Sequence, residues 1–260
     1  METTKGGKID KEIFDLLNKT RADPLSFKPH LDTMLNQFDG EILKREGKTN
    51  LRTNEGPKAV KEAIDYLMRA EKISEPLRWS EEISQVAKDH VDDTGPKGLL
   101  THESSDGKTV KDRLQKVGKI INCYGENLSF HCDTAAEVLC QLIVDDGVAD
   151  RGHRDNLFNP EFKVMGCHTG PHRDYEFMTC IDLAGGLIKH GDPDPIEQQM
   201  NSFLKEQVEI EMPPDVRSWK QNTKVNVQGT KATKTITRTC KLKDGSEKVL
   251  TKTMQKEFSY

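Results

Sequence analysis

Apolar side chains recur at helical spacing through the first ninety residues of the chain. Positions three and four apart share one face of a helix, so this spacing predicts amphipathic helices. The stretches that show it are residues 9–21, 25–38, 59–73 and 83–91. Pro24 separates the first two helices, and Ser80 is the predicted N-cap of the fourth. Residues 40–57 are charged and rich in Gly, Asn and Thr, so we expect a surface loop there.

Further along, short apolar runs bounded by turn residues are typical of β-strands. The predicted strand segments are residues 120–123, 127–130, 162–168 and 175–183. Tyr124-Gly125-Glu126 is predicted to form a tight turn between the first two. A helix over residues 134–146, with Asp133 as its N-cap, precedes the last two strands. Helices followed by mixed strands predict an α+β sandwich in which helices cover a small, mostly antiparallel sheet.

The character of the chain changes after Gly191. Only 34% of the 260 residues are hydrophobic, so part of the chain is expected to lie outside the main core. We predict an N-terminal tail over residues 1–8 and a main domain over residues 9–190. A linker with one helix over residues 191–212 and a basic, β-prone extension over residues 213–260 follow. Asp244-Gly245 lies between two alternating runs, residues 233–242 and 247–258, and predicts a hairpin too polar to form its own core.

The extension is positively charged although the whole chain is not. Residues 213–260 contain eleven Lys and Arg against four Asp and Glu, a net charge of +7, whereas the whole chain has −4. We therefore expect the extension to dock on a protein with an acidic surface, for example a cytoskeletal filament such as a ciliary microtubule. Its candidate partner-binding residues are Lys231, Lys234, Arg238, Lys241, Lys243 and Lys248. Nucleic acid is a weaker candidate because aromatic side chains are scarce, and a solvated disordered tail is the alternative.

No targeting or membrane segment is visible in the sequence. Residues 1–20 lack an apolar signal-peptide core, and no apolar run is long enough to span a bilayer, so we expect an intracellular protein. The six cysteines contain no C-x-x-C pair and are expected to be reduced. Cys167 and Cys180 fall on neighbouring predicted strands, and we predict no disulfide between them.

Three stretches carry side chains that can bind a metal or transfer a proton. Asp145 and Asp146 end the helix over residues 134–146, and His153 follows them. His102 follows an earlier helix, and Glu126 lies in the predicted turn. Imidazole and carboxylate groups together can bind a metal, move a proton, or only satisfy each other in a buried network.

These residues resemble a known family in their order and spacing. The motifs that carry the resemblance are Trp79 with the helix after it, the His102 stretch, Gly125-Glu126-Asn127-Leu128 and Gly152-His153-Arg154-Asp155-Asn156. Together they resemble the CAP domain, also called the SCP-like domain, of cysteine-rich secretory proteins, insect venom antigens and plant pathogenesis-related proteins. The resemblance covers about residues 9–190. Arg154 and the following Asn156-Leu157-Phe158 resemble the microbial branch most.

The resemblance implies an α–β–α sandwich with a cleft that holds two histidines and two acids. By motif these residues are His102, Glu126, His153 and an acid of the Asp145/Asp146 pair, with Asp145 at the position where the family has Glu. Such a ligand set suits zinc, and Glu126 is then the candidate base of a zinc-dependent hydrolase. The same groups can form only a structural polar network.

We expect a non-enzymatic binding or scaffold protein that docks into a larger assembly. The motivating features are the missing signal peptide and the polar C-terminal extension. No Ser nucleophile elbow or Cys–His dyad is evident in the sequence. A zinc-dependent hydrolase and a lipid- or sterol-binding protein are the alternatives that the resemblance implies.

Overall fold

The computed structural model of the protein describes residues 5–260, with side chains from residue 7 onward. Its contacts divide the chain into two compact units, Met1–His190 and Gly191–Tyr260, each of which is described by itself. The first helix begins at Lys5, so residues 5–8 of the predicted N-terminal tail are helical, and residues 1–4 lie outside the described residues.

The first unit contains seven α-helices and seven strands among its described residues. The helices are α1 (Lys5–Ala22), α2 (Lys28–Asn36), α3 (Pro57–Arg69), α4 (Glu81–Thr94), α5 (Val110–Gln115), α6 (Ala135–Val144) and α7 (Gly152–Phe158). The strands are β1 (Phe38–Asp39), β2 (Ile42–Leu43), β3 (Leu51–Arg52), β4 (Arg78–Trp79), β5 (Gly118–Phe130), β6 (Val164–His172) and β7 (Glu176–Lys189). Short 3-10 helices lie at Pro24–Phe27 and Gly95–Lys97.

A four-stranded sheet forms the middle of this unit. Its order is β4-β6-β7-β5, with β4 parallel to β6 and the other pairs antiparallel. Strand β5 is therefore an edge strand, and its register places Glu126 opposite Asp182 and Asn127 opposite Ile181. Successive side chains of a strand point to opposite faces, so Glu126 and Asn127 serve different sides of the sheet.

Helices cover both faces of the sheet. One core cluster combines α1, α3, α6 and α7 with sheet residues such as Met165 and Ile181. On the other face, α4 and α5 pack on residues such as Val164, Ala184 and Cys180. The predicted α+β fold and the α–β–α sandwich are both confirmed.

Helix α4 approaches the sheet very closely. A Cβ atom added at Gly166 of β6 would lie 2.1 Å from the backbone nitrogen of Ser84, so no side chain fits there. The helix starts where the sequence predicts, because the Ser80 side chain accepts a hydrogen bond from the backbone N–H of Ile83 at 3.2 Å. This close packing fixes the helix that precedes His102.

Three local predictions were wrong. The turn predicted at Tyr124-Gly125-Glu126 does not exist, because β5 is continuous and accommodates a bulge between Ile121 and Tyr124. Thr134, not Asp133, caps α6 by accepting a hydrogen bond from the Glu137 N–H. The predicted loop over residues 40–57 also contains the short strands β2 and β3.

The second unit is a helix packed on a three-stranded antiparallel sheet. Its elements are α8 (Pro195–Lys205), β8 (Val216–Gln228), β9 (Lys231–Leu242) and β10 (Glu247–Glu257), in the sheet order β10-β9-β8. The hairpin of β9 and β10 forms around Asp244-Gly245 as predicted. The sequence analysis missed β8, which pairs with β9 over most of its length.

This unit has a small apolar core to which both α8 and the sheet contribute, so the hairpin does not form a core of its own. Ile196 and Phe203 of α8 pack on Ala232 of β9 and on Phe258. The rings of Phe203 and Phe258 meet edge to face with centroids 5.9 Å apart. The helix assigned to the linker therefore belongs structurally to the same unit as the sheet.

All six cysteines are free thiols. Cys167 and Cys180 lie on adjacent strands but point to opposite faces, since Cys167 lies opposite Ile181 and His168 lies opposite Cys180. The Cys167 thiol donates to the carbonyl oxygen of Asp10, and the Cys180 thiol donates to Glu126. This geometry cannot accommodate a disulfide between the two.

Among the described helices, none combines the length and apolar character required to cross a bilayer.

Candidate functional site

A cleft of about 710 Å³ lies in the first unit. His102, Asp145, Asp146 and His153 all line it, as do Leu128 and Phe130 of the edge strand β5. Glu126 does not line the cleft but lies directly behind His102. The structure therefore brings the two predicted histidines to one cavity, each with its own carboxylate.

The first pair joins His102 to Glu126 on the α4 side of the sheet. His102 Nδ1 lies 2.7 Å from Glu126 Oε1, while the imidazole side chain remains 53% exposed. The other carboxylate oxygen forms an ion pair with Nη2 of Arg113, whose Nη1 donates to the His102 carbonyl oxygen at 2.8 Å. Arg113 thus holds both the acid and the loop that carries the histidine.

The Glu126 carboxylate is ionised although its side chain is buried. Burial raises its pKa, but the hydrogen bond with His102 and the charge of Arg113 outweigh that effect and lower the pKa. A carboxylate that is fully engaged and stabilised in this way is a weak proton acceptor.

A second buried acid, Asp182, lies beside Glu126. Burial and the negative charge of Glu126 raise the pKa of Asp182 well above its usual range, and burial does the same for the Cys180 thiol. Donor atoms of Glu126, Cys180 and Asp182 lie within 4.8 Å of one another, the only such group of three within residues 5–260. Because Arg113 already neutralises Glu126, and Asp182 and Cys180 keep their protons, this group of three disfavours a cation.

The second pair joins His153 to Asp145 on the opposite side. His153 Nδ1 lies 2.7 Å from Asp145 Oδ1, and the His153 backbone N–H donates to Oδ2 at 2.9 Å. Asp145 reaches α7 because it ends α6 in the left-handed conformation, with φ of 53°. Its hydrogen bond raises the pKa of His153 against the opposing effect of burial.

Asp146, the other acid of the predicted pair, has a different role. Its carboxylate accepts the backbone N–H groups of Asn54 and Glu55 at 2.6 and 2.8 Å. It therefore fastens the segment before α3, and Asp145 is the acid that contacts His153.

Asn127 ties β5 to the helix that carries His153. Its Nδ2 donates to the His153 carbonyl oxygen at 2.9 Å, and its Oδ1 accepts from Asn156 Nδ2 at 2.9 Å. Since Glu126 contacts His102 on the other face, the two central residues of Gly125-Glu126-Asn127-Leu128 support the two histidines separately. The edge position of β5 lets groups from both faces open onto one cleft.

Arg154 holds the end of α6. Its guanidinium forms a two-pronged ion pair with Glu62, with both N–O distances 2.7 Å, and donates to the carbonyl oxygens of Ile143 and Val144. The side chain is 2% exposed, so its role is to support the turn that places Asp145.

The four predicted ligands form two separate pairs rather than one compact group. Within the described part of the chain, no three of their donor atoms lie within 4.8 Å of one another. With Nδ1–H donating to a carboxylate, however, Nε2 of each ring keeps the lone pair that a metal requires. Zinc binding by these residues stays a prediction.

Arg113 and Asp182 were not predicted from the sequence. Asp182 had a visible signal, because it is a lone acid in the apolar run Thr179-Cys180-Ile181-Asp182-Leu183. Arg113 had none, since a charged residue in a short polar helix is typical of a solvated surface.

The basic residues predicted to bind a partner divide into two groups. Lys231, Lys241, Lys243 and Lys248 are exposed. Lys234 is 7% exposed and donates to the carbonyl oxygens of Leu204 and Glu206 at the end of α8, which leaves its ammonium unavailable to a partner. Arg238 is half-buried, where it stacks on Trp219 at 4.8 Å and donates to the Ile210 carbonyl oxygen.

The chain belongs to the CAP (cysteine-rich secretory protein) family, whose sequence model matches residues 18–181, well over half of the chain. The match includes both histidine–carboxylate pairs of the cleft. Comparison with curated proteins found no match.

Two solved bacterial structures are similar to this chain. One is an extracellular protein containing an SCP domain from Bacillus anthracis, with 25% identity over 48% of this chain, 39% of that chain and a TM-score of 0.34. The other is an outer surface protein from Borrelia burgdorferi, with 17% identity over 48% of this chain, 86% of that chain and a TM-score of 0.37. The chain thus covers less than half of the Bacillus anthracis protein.

Proposed function

We propose that this CAP-family chain is a non-enzymatic binding protein whose cleft holds a divalent cation through Nε2 of His102 and His153. The supporting observation is that each imidazole is held through Nδ1 by a buried carboxylate, the arrangement that orients metal-binding histidines. Two nitrogen ligands fit zinc with positions left for a ligand or water. A bound cation would supply a Lewis acid that attracts an anionic group into the cleft.

Binding is favoured over hydrolysis by the state of the groups near the cleft. Both oxygens of the candidate base, Glu126, are occupied by His102 and Arg113. Two cysteines line the cleft, but burial raises the pKa of Cys132 to about 11 and that of Cys140 to about 12. Neither thiol is therefore a ready nucleophile at neutral pH.

Calorimetric titration of the full chain with zinc tests the cation proposal. We expect one site in the wild type and at least about a tenfold weaker affinity in His102→Ala and in His153→Ala. The matched control is His190→Ala, because His190 is exposed and does not line the cleft. Absence of zinc binding, or equal losses in all three variants, would overturn the proposal.

The hydrolase alternative is tested with zinc-loaded protein and a panel of ester, peptide and phosphoester substrates. Glu126→Gln is the appropriate comparison because it keeps a hydrogen-bond acceptor beside the buried Arg113. Turnover in the wild type that disappears in Glu126→Gln would establish an enzyme and refute the binding proposal.

One observation favours an apolar anionic ligand, such as a lipid acid, as a second candidate. Apolar side chains contribute much of the cleft wall, namely Met34, Leu100, Leu128, Phe130, Val144 and Val148. Arg45 also lines it, and its buried Nη1 has no hydrogen-bond partner within the residues described. Displacement of a fluorescent fatty acid from wild type and Arg45→Met measures this, and equal affinities would exclude it.

The second part of the proposal is that the basic extension over residues 213–260 docks the protein into a larger assembly. The charge of +7 over residues 213–260 and the four exposed lysines support an acidic protein partner. Co-sedimentation with microtubules tests the cytoskeletal version, with the chain ending at His190 as the control. Equal pelleting of both proteins would show that the C-terminal unit is not the docking element.

A further inference from the structure

Strand β8 leaves one long hydrogen-bonding edge open in the C-terminal unit. It pairs with β9 on one side and is the last strand of the sheet on the other. Residues 217–228 are all exposed, although Arg238 of β9 stacks on the Trp219 ring. An open edge presents unpaired N–H and C=O groups in the spacing that another extended chain requires.

The side chains of β8 differ sharply between its two faces. Trp219, Val225 and Val227 share one face and are 50%, 45% and 44% exposed. Lys220 and Lys224 share the other face. The strand contains no Asp or Glu, so one of its two faces is apolar and the other is cationic.

The same sheet already holds one acidic extended segment of its own chain. Residues 206–212, with the sequence Glu-Gln-Val-Glu-Ile-Glu-Met, lie outside helices and strands. Arg238 donates to the Ile210 carbonyl oxygen at 3.2 Å, and Lys252 donates to the Glu209 carbonyl oxygen at 3.1 Å. Val208 of this segment is buried. The sheet therefore already holds the main chain of one segment that is neither helix nor strand, through cationic side chains that donate to its carbonyl oxygens.

We propose that β8 is a docking edge for an extended segment of an acidic partner protein, which adds to the sheet as a fourth strand. Its apolar residues would cover Trp219, Val225 and Val227, and its carboxylates on alternate positions would meet Lys220 and Lys224. This inference rests on the proposed docking role of the C-terminal unit and specifies where and how it occurs.

A second copy of this chain fits the edge less well. Antiparallel pairing of two β8 strands would place Arg217, Lys220 and Lys224 near the same cations of the other copy, with no acid in either strand. Pairing with β10 of another copy gains little, because that strand carries three Lys against two Glu. The charge pattern therefore selects an acidic partner.

Fluorescence anisotropy with the full chain tests the inference. The probe is a labelled peptide of about twelve residues in which Glu alternates with Val, long enough to span most of β8. A peptide of equal composition with Glu and Val in separate blocks is the control for simple charge attraction. We expect only the alternating peptide to bind, and at least about tenfold more weakly in Lys220→Glu/Lys224→Glu.

The matched protein control is Lys205→Glu/Lys256→Glu, which makes the same charge change on two exposed lysines that lie outside β8 and are not candidate partner-binding residues. We expect it to weaken binding by no more than about threefold through long-range repulsion. If both double variants lose affinity equally, docking occurs through diffuse charge, and the edge inference fails while the docking role survives. If neither peptide binds, the edge inference fails, and the microtubule assay decides the docking role independently.

Two further measurements separate strand addition from side-chain attraction. Peptides N-methylated on every Glu or on every Val block opposite edges of an extended chain, so one of the two should lose binding and the other retain it. Hydrogen exchange should show protection of alternate amides of Val216–Gln228 when the peptide is added. Equal loss of binding by both methylated peptides would overturn the inference. The same amide protection in a dimer that the protein forms without peptide would also overturn it.

Discussion

Arg154→Ala tests how the helix end beside the cleft is held. The Arg154 side chain is 2% exposed, and its guanidinium donates to the last carbonyl oxygens of α6 as well as to Glu62. Asp145 follows those carbonyl groups directly and positions His153. Removing the guanidinium should therefore destabilise both the fold and this half of the cleft.

The magnitude follows from the separate contacts. Two buried carbonyl oxygens left without their donor cost about 1–3 kcal/mol each. The guanidinium also lies 4.9 Å from the ring centroid of Tyr66, a contact worth about 0.5–1 kcal/mol. The Glu62 side chain is 44% exposed, so it returns to water and its pairing adds no more than about 1 kcal/mol. We expect a loss of about 3–5 kcal/mol and a fall in Tm of about 10 °C.

Urea unfolding of the full chain, followed by circular dichroism, measures this loss. Glu62→Gln is the matched control, because it weakens the ion pair but leaves the carbonyl contacts, and should cost about 1 kcal/mol. A loss below about 1 kcal/mol for Arg154→Ala, or equal losses for both variants, would refute the capping role.

Three further predictions concern other parts of the chain. The raised pKa of Asp182 means that the folded state keeps a proton that the unfolded state releases, so stability falls as pH rises toward that pKa. Asp182→Asn should remove this slope in urea unfolding between about pH 4 and about pH 8, and an unchanged slope would contradict it. Lys234→Met should speed amide exchange in α8 about tenfold or more, because two carbonyl oxygens lose a charged donor, whereas the exposed Lys231→Met should not. A chain ending at His190 should remain monodisperse in gel filtration, whereas one ending at residue 212 should aggregate because it exposes the apolar face of α8; identical behaviour would contradict this.

Features that depend on near neighbours were predictable from the sequence. The Ser80 cap forms as predicted. The helices of the main domain follow their apolar spacing because each buries that face in the apolar clusters on the two faces of the sheet. The order of the family motifs predicted that His102 and His153 lie at one cleft, and both residues line it.

Features that depend on distant contacts were not predictable. Polar residues around Glu126 are typical of a turn, but long-range partners such as Arg113 and Asn156 satisfy them within a strand. The left-handed conformation of Asn122 produces the bulge that keeps β5 continuous, and the sequence gives little sign of it. Strand β8 was missed because strands at an open edge need few apolar residues.

The two histidines are supported by helical layers that lie on opposite faces of one sheet. A cation shared between them would therefore link the α5 and α7 sides of the sheet directly, in addition to the contacts that each layer makes with the sheet. Its binding energy would add to the stability of both layers at once, so local opening of either would become rarer in proportion to cation concentration. If the cleft holds the cation as proposed, the folded protein would be degraded faster where the cation is scarce than where it is abundant.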